Sequence, residues 1–599
     1  MKKAFIKKAL AIILCFAVLA SLPLSVGAAS DEITITDKYL IYVSDESLNE
    51  AAKYLNRYIE EICGYKLKIT DIPPNGMSIS LAINPKAENA YTIRSDTLNV
   101  YITGKNLRNT VDGICEFLEK YGGIHYYAAE CVVKEKTEIT IPKNTEYSYT
   151  PFFEMTDTDW YSPTFVDYSL FNGLSSNYYR KVPAELGGGV EYITSLAHTY
   201  TNQFCNKDKY FEEYPECFAL SAVARNKESL CLSNPKTLEI VEKEVFELLE
   251  QKHNPNATLQ IVSLTQNDNM FFCTCPDCLA KYVKYGAIGG LNLEFANAIA
   301  RKVKEAGYDN VAIDTFAYQY TRLCPKGIVP EDNVIIRLCS IECCFSHSLD
   351  NPLCAANMFF ANDLKDWAKI CNRLYIWDYT TNYSHYIGIF PDFSVLQPNI
   401  QFFYENNVKG IYAEGNYSMA QCDTEFGELR SYLISRLLKD PYCDIKAEQE
   451  AFCKAYYGEG GKYVSEFVDT ISENAKLYHL SIYTSMEDTC MLTNRQIKQC
   501  DKLWEEAKQA ATGEALEHVK YSELAWRFWK YKNNASEFSS ILTRKEVRAQ
   551  FDEEMDAAPI KAKREFDENR AFWLGVLQIA RFILSDALYP VLFLVSKFI

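Results

Sequence analysis

The sequence predicts an α/β chain organised around a (β/α)8 TIM-like barrel, with a small α/β domain before it and a helical bundle after it. Three observations carry this reading. From Phe152 onward, apolar β-branched runs alternate with amphipathic stretches, the pattern of parallel strands joined by crossover helices. Eight such runs fall within residues 146–440, a span that suits an eightfold barrel. Beyond about Asp440 only the 3.6-residue helical period remains.

Taken in order, residues 1–28 have the three parts of a secretory signal. Lys2, Lys3, Lys7 and Lys8 form the charged start, Ala9 to Leu19 the apolar centre, and Val26-Gly27-Ala28 a small-residue cleavage site. The expected location is therefore secreted or cell-surface. Residues 29–145 read as the small α/β domain. Short strands are expected at Tyr39–Val43, Ser78–Ile83 and Leu98–Thr103, with helices at Asn49–Cys63 and Asn109–Tyr121, the second stopped by Gly122-Gly123. No catalytic constellation occurs there.

The barrel strands are expected at Phe152–Thr156, Asn172–Val182, Tyr192–Ala197, Leu259–Leu264, Val311–Phe316, Val334–Leu338, Leu374–Trp377 and Val408–Tyr412. The second is the least regular. Helices Thr237–Gln251, Leu291–Ala306, Ala361–Cys371 and Ser394–Asn406 fit between them. Residues 441–570 form the helical domain. The apolar tail, 571–599, carries Arg581 and Asp586, and each uncharged run is too short to span a bilayer. It reads as an amphipathic helix docked on the protein, with a peripheral membrane contact as the alternative.

Composition narrows the partners. A net charge of −17 argues against nucleic acid or an anionic membrane as the main partner. The 42 tyrosines suit clefts in which sugars stack, although most serve ordinary packing. The 21 cysteines are spread over the whole length rather than packed as in a small disulfide scaffold. Those in apolar runs, such as Cys115, Cys339 and Cys371, behave as small hydrophobes.

Ligands of parallel α/β folds sit at the carboxyl ends of strands, and there the chain places chemistry. Strand four ends Gln266-Asn267-Asp268, strand seven ends Trp377-Asp378-Tyr379 with Tyr383 beyond, and strand eight ends Tyr412-Ala-Glu414. Strand three leads to His198 and strand five to Tyr318. Asp268, Asp378 and Glu414 are thus the candidate catalytic acids. His198, Asn267, Tyr318, Trp377, Tyr379 and Tyr383 are the candidate substrate contacts. Carboxylates framed by rings are what glycoside cleavage requires: one protonated to meet the leaving oxygen, one ionised to activate water or attack the sugar. Each acid alone could equally cap a helix. No H-E-x-x-H, G-x-S-x-G or P-loop motif occurs, and no cofactor is expected for catalysis.

These residues carry a resemblance. His198, Tyr214-Pro-Glu216, Leu230-Cys231-Leu-Ser-Asn234-Pro, Gln266-Asn-Asp268, Trp377-Asp-Tyr379, Glu414-Gly415 and Phe452–Gly458 resemble the secreted bacterial proteins grouped as domain of unknown function family 4838. Those proteins are similar to α-glucuronidases and more distantly to β-hexosaminidases. The likeness spans residues 32 to 530. It implies a leading α/β domain, a barrel and then helices, with the acid after strand four (Asp268) protonating the leaving group and Asp378 or Glu414 activating water. The α-glucuronidase pattern places Glu at the acid position, so Asp268 is one methylene shorter.

Cys273-x-Cys275-x-x-Cys278 follows Asp268 directly, and Cys231 is the best fourth partner. Four thiolates would make a closed structural zinc site, and the rival reading is one disulfide plus a free thiol. The functional expectation is an exported glycoside hydrolase acting on an oligosaccharide or glycan. A non-catalytic, cell-surface glycan-binding barrel is the alternative, and an envelope protein organised by its helical half a weaker third.

Overall fold

The structure, a computed structural model, describes residues 31–175, 181–221, 224–416, 425–540 and 543–558. The signal segment and the apolar tail lie outside them.

The first domain is a six-stranded mixed sheet. Its strands are β1 (Leu40–Val43), β2 (Lys68–Thr70), β3 (Ser78–Ile83), β4 (Tyr91–Ser95), β5 (Val100–Gly104) and β6 (Glu146–Tyr149), in spatial order β6-β4-β5-β3-β1-β2. Strand β6 pairs antiparallel with β4, so the domain's sheet runs past residue 145. Helices α1 (Asn49–Cys63) and α2 (Leu107–Lys120) bury Leu55, Ile59, Val111 and Phe117 with Ile79, Ile93 and Ile102 of the sheet. Gly64 ends α1 at φ 78°, a left-handed conformation that only glycine adopts without penalty.

The second domain is a nearly closed parallel barrel. Among the described residues it has seven strands: β7 (Met155–Thr158), β8 (Val190–Tyr192), β11 (Leu259–Ser263), β12 (Val311–Ala317), β13 (Val334–Cys339), β14 (Leu374–Tyr379) and β15 (Val408–Glu414). The hairpin β9 (Phe218–Ser221) and β10 (Ala224–Leu230) interrupts the run between β8 and β11. Strand order is β7-β15-β14-β13-β12-β11-β8. Every residue of β11, β12 and β13 is buried, since helices cover the outer face while side chains fill the inner one.

Of the expected second strand, 172–182, residues 176–180 lie outside the described residues, and the described ones form no strand. Its place between β7 and β8 is bridged by one residue. The Ser175 N–H donates to Thr156 O (3.2 Å), and its carbonyl accepts from the Val190 N–H (3.3 Å). Arg108, on α2 of the first domain, donates to Leu174 O (2.6 Å) and Gly188 O (2.7 Å) beside this seam. A guanidinium thus satisfies carbonyls that a neighbouring strand would otherwise have taken. At Gly189 a Cβ would stand 2.1 Å from Ser175 O, so only glycine lets the two segments approach.

The barrel helices are α3 (Pro235–Lys252), α4 (Pro276–Tyr285), α5 (Gly289–Glu305), α6 (Ala355–Ala368), α7 (Phe393–Glu405) and α8 (Gly427–Lys439). Both α3 and α4 begin with proline at a position whose N–H has no helical partner to lose. The helical domain follows as α9 (Ile445–Tyr457), α10 (Gly461–Ala475), α11 (Asn494–Ala510), α12 (Glu514–Asn533) and α13 (Arg544–Ala557). Phe452, Phe467, Trp504 and Trp526 join the barrel's own core, so barrel and bundle share one apolar interior. Among the described residues no helix is long and apolar enough to cross a membrane.

Candidate functional site

The alternation of a strand decides which side chains reach the barrel interior. On β14, Tyr375 belongs to the interior cluster with Met155, Tyr192, Ile261 and Tyr412, and Trp377 packs against it. Ile376 belongs to the layer between strands and helices. Tyr375, Trp377 and Tyr379 therefore share the inner face, and Asp378 the outer one.

The floor of the mouth is a buried ion pair. Arg337 (β13) and Asp314 (β12) are both fully buried and lie 2.8 Å apart. The guanidinium also donates to Leu196 O (2.5 Å) and Ser263 Oγ (3.1 Å), while Tyr192 OH donates to Asp314 (3.3 Å). It lies under the rings of Phe316 (4.7 Å) and Trp377 (5.0 Å), which fixes both.

From that floor a continuous line of contacts joins two of the three expected acids. Asp268 accepts from Tyr318 OH (3.0 Å) and Gln319 Nε2 (3.1 Å), both on its Oδ1. The Tyr318 ring meets Phe316 (5.7 Å), and Phe316 meets Trp377 edge-on (5.7 Å). The Trp377 indole N–H donates to Glu414 Oε2. Burial first, then the neighbouring Cys339, Tyr318 and Glu414, hold the Tyr379 phenol well above its ordinary range, so it stays protonated near Glu414. Tyr383, buried beside Glu414 and 6.1 Å from Tyr379, is raised in the same way.

Glu414 is clamped by its backbone as well. Its carbonyl accepts from both Thr380 N and Thr380 Oγ1 (2.8 Å each), and the next N–H, that of Gly415, donates to Asp159 Oδ1. Trp160 donates to Thr380 Oγ1 (3.0 Å), and its ring lies on Gly415, where a Cβ would meet it at 2.8 Å. Two backbone conformations that side chains rarely adopt also border the mouth: His198 at φ 59° and Gln319 at φ 52°. His198 Nδ1 lies 2.8 Å from Gln266 O, so that nitrogen carries the proton and donates. The ring meets Phe316 at 5.9 Å.

Two expected site residues stand elsewhere. Asp378 is buried behind the mouth, where Ser340 Oγ donates to it (2.6 Å), and burial pushes its carboxyl up to about 6. The expected trio of acids at one mouth is thus corrected to a pair, because one step along a strand reverses the face. Asn267 turns away from Asp268 and donates to Thr201 Oγ1 (2.5 Å). Conversely, the sequence reading passed over Asp157 and Asp159. Both are buried at the end of β7, next to β15, and burial pushes Asp159 up to about 6. The strand-end rule would have found them had the first strand been carried past Thr156.

The cysteine cluster is assembled. The Sγ atoms of Cys231, Cys273, Cys275 and Cys278 lie within 4.8 Å of one another, all buried. Cys231 is 3.6 Å from Cys275 and 3.8 Å from Cys278. Zinc–sulfur bonds of about 2.3 Å in a tetrahedron place sulfurs roughly 3.8 Å apart, so the donor set fits zinc. Cys275 is the N-cap of α4 and Cys278 lies in its first turn, so the start of one helix holds both sulfurs. No disulfide links any of the described cysteines.

A parallel barrel with acids at its carboxyl-terminal mouth, a sheet domain before it and helices after it is a glycoside hydrolase-like fold. The profile of the family described as Domain of unknown function (DUF4838) matches residues 126–469, more than half of the chain, and the chain belongs to that family. No curated protein matches. Among solved structures the chain is similar to a family GH115 4-O-methyl-α-glucuronidase with specificity for decorated arabinogalactans. The TM-score is 0.56 at 9% identity, covering 90% of this chain and 82% of that one. Weaker likenesses include a GH20 β-N-acetylhexosaminidase from Streptomyces coelicolor (TM-score 0.42, 12% identity, 72% of this chain and 93% of that one). Another is a GH89 protein from Clostridium perfringens (TM-score 0.46, 12% identity, 85% and 66%). At these identities the likeness concerns the fold.

Proposed function

We propose that this chain is an exported glycoside hydrolase that cleaves an oligosaccharide or glycan by carboxylate acid/base catalysis. The observation that carries the proposal is the line Asp268–Tyr318–Phe316–Trp377–Glu414, two acids facing one ring-lined mouth. In this reading Asp268 protonates the leaving oxygen. Tyr318 and Gln319 hold one of its oxygens and so orient the carboxyl. Glu414, receiving the indole N–H, is the ionised partner that activates water or attacks the sugar. Phe316, Trp377 and Tyr379 supply apolar faces for a pyranose ring, and His198 a hydroxyl contact. The secretory signal in residues 1–28 supports export, to be checked by finding the chain in the culture medium with Ala29 as its first residue.

The test is turnover of a panel of 4-nitrophenyl glycosides and glucuronides beside unactivated glycans. Asp268→Asn should lower turnover of the unactivated glycans by ~10²–10⁴. It should spare the nitrophenyl substrates, whose leaving group needs no proton. Glu414→Gln should disable both. Glycan binding without any turnover, unchanged by either substitution, would replace the hydrolase with a binding protein.

We further propose that Cys231, Cys273, Cys275 and Cys278 hold a structural zinc ion. It would tie the end of β10 to the loop that follows Asp268 and take no chemical part in the reaction. Metal analysis of the purified protein tests this, and a mapped disulfide within the cluster would end it.

A further inference from the structure

A second set of soft ligands lies on another barrel loop, the one that follows β13. Cys344, His347, Cys354 and His479 place one donor atom each within 4.8 Å of all the others. The first three belong to the loop between β13 and α6, in the spacing Cys-x-x-His followed by a cysteine seven residues on. His479 arrives from far along the chain, on the loop between α10 and α11 of the helical domain. We propose that these four residues form a Cys2His2 zinc site that clips the helical domain to the barrel.

Three independent features point to a metal. The first is distance. Cys344 Sγ is 3.3 Å from His347 Nδ1, and Cys354 Sγ is 3.7 Å from His479 Nδ1. A tetrahedron with Zn–S of about 2.3 Å and Zn–N of about 2.0–2.1 Å has S···N edges of roughly 3.5 Å. The second is the tautomer. His347 Nε2 lies 3.0 Å from Lys476 O, so Nε2 carries the proton and donates, leaving the Nδ1 lone pair aimed at Cys344. A distal N–H given to a backbone carbonyl is the usual outer support of a metal-bound histidine. The third is the rigidity of the frame. The Asn357 side chain accepts from Cys344 N (2.7 Å) and donates to Cys344 O (3.0 Å) and His347 O (2.8 Å), fixing the Cys-x-x-His turn.

The donor set selects the ion. Two thiolates and two neutral imidazoles around a divalent cation give a neutral centre, and sulfur with imidazole in a tetrahedron suits zinc rather than magnesium or calcium. Cys344 and Cys354 are buried, His479 is exposed, and a cavity of about 610 Å³ lined by His347, Cys354, Lys476 and His479 gives an ion a way in. The four ligands supply a closed coordination sphere, so the site is structural. Its reach is functional, because the clipped loop continues to the mouth. Tyr383 N donates to Ile482 O (2.8 Å), Asn382 Nδ2 donates to Thr484 O (2.9 Å), and the Tyr483 ring stands 6.0 Å from that of Tyr383.

The experiment measures zinc in the full chain, purified in reducing buffer after growth with added zinc. The proposal expects a zinc equivalent that survives Cys273→Ser/Cys278→Ser and is lost in Cys344→Ser/Cys354→Ser. Its X-ray absorption should show two sulfur and two nitrogen neighbours. Because the cysteine variants could misfold, His479→Gln, at an exposed position, is the second probe. With an unchanged circular dichroism spectrum it should release this zinc to a chelator at least tenfold faster. A chain whose only zinc vanishes with Cys273→Ser/Cys278→Ser overturns the proposal, as does a chain with none. A mapped Cys344–Cys354 disulfide, or release unaffected by His479→Gln, overturns it too. If the Cys231 cluster proves metal-free, the count falls to one, and that one still responds to Cys344→Ser/Cys354→Ser alone.

Discussion

Asp378 offers the sharpest test of the geometry, because its position behind the mouth gives it a stability signature in place of a catalytic one. Its carboxyl is buried with Ser340 Oγ and the Tyr379 N–H as its hydrogen-bond donors, and burial raises it from the ordinary 3.8 to about 6. A carboxyl raised on folding binds its proton more tightly in the native state than in the unfolded one. Stability therefore falls as pH rises from about 4 to about 6 and is level above that. At about 1.4 kcal/mol per pH unit, the rise amounts to about 3 kcal/mol lost by pH 7. Asp378→Asn keeps the acceptor for Ser340 and Tyr379 and cannot ionise. Urea unfolding of both proteins, followed by the tryptophan transition of the barrel from pH 4 to 8, should show the variant gaining about 2.4 kcal/mol on the wild type across that interval. The added amide hydrogens shift the whole difference curve and leave its slope alone, and Asp159, common to both chains, cancels. Turnover should stay within a few-fold of the wild type. A flat difference curve would refute the buried, raised carboxyl. A hundredfold loss of turnover in a variant of native stability would put Asp378 in reach of substrate after all.

Three further outcomes follow from the same structure. Arg337→Met leaves Asp314 buried without its cation and should cost about 3–5 kcal/mol in chemical unfolding, part of it regained in Arg337→Met/Asp314→Asn. Arg108→Ala strips the donors from Leu174 O and Gly188 O at the barrel seam, and should cost about 2–4 kcal/mol in the same assay. Gly415→Ala drives a Cβ into the Trp160 ring, 2.8 Å away, and should cost about 1–3 kcal/mol. It should also depress turnover on any glycan found to be a substrate, because Trp160 holds the Thr380 that clamps Glu414.

The sequence by itself determined the architecture. Five of the expected barrel strands, β11 to β15, occur where period and β-branching put them, because a strand buried on both faces must be apolar throughout, as β11 to β13 are, whereas β7 and β8 share only Met155–Thr156 and Tyr192 with the runs expected there. The helical domain was legible for a similar reason: a 3.6-residue period over Asn494–Ala510 admits no other element. The Cys231 cluster was legible because three of its members sit in one short motif. Local pattern could not decide the facing of side chains at strand ends or the meeting of remote segments. Asp378 and Trp377 are adjacent in sequence and point to opposite sides of one sheet. Between β7 and β8 the seam is made by Ser175 and by an arginine from another domain. His479 reaches Cys354 across 125 residues of sequence, a pairing that no spacing rule anticipates. Periodicity reports whether a residue is buried, whereas chemistry depends on which other residue it is buried against, and that is fixed only when the chain has closed on itself.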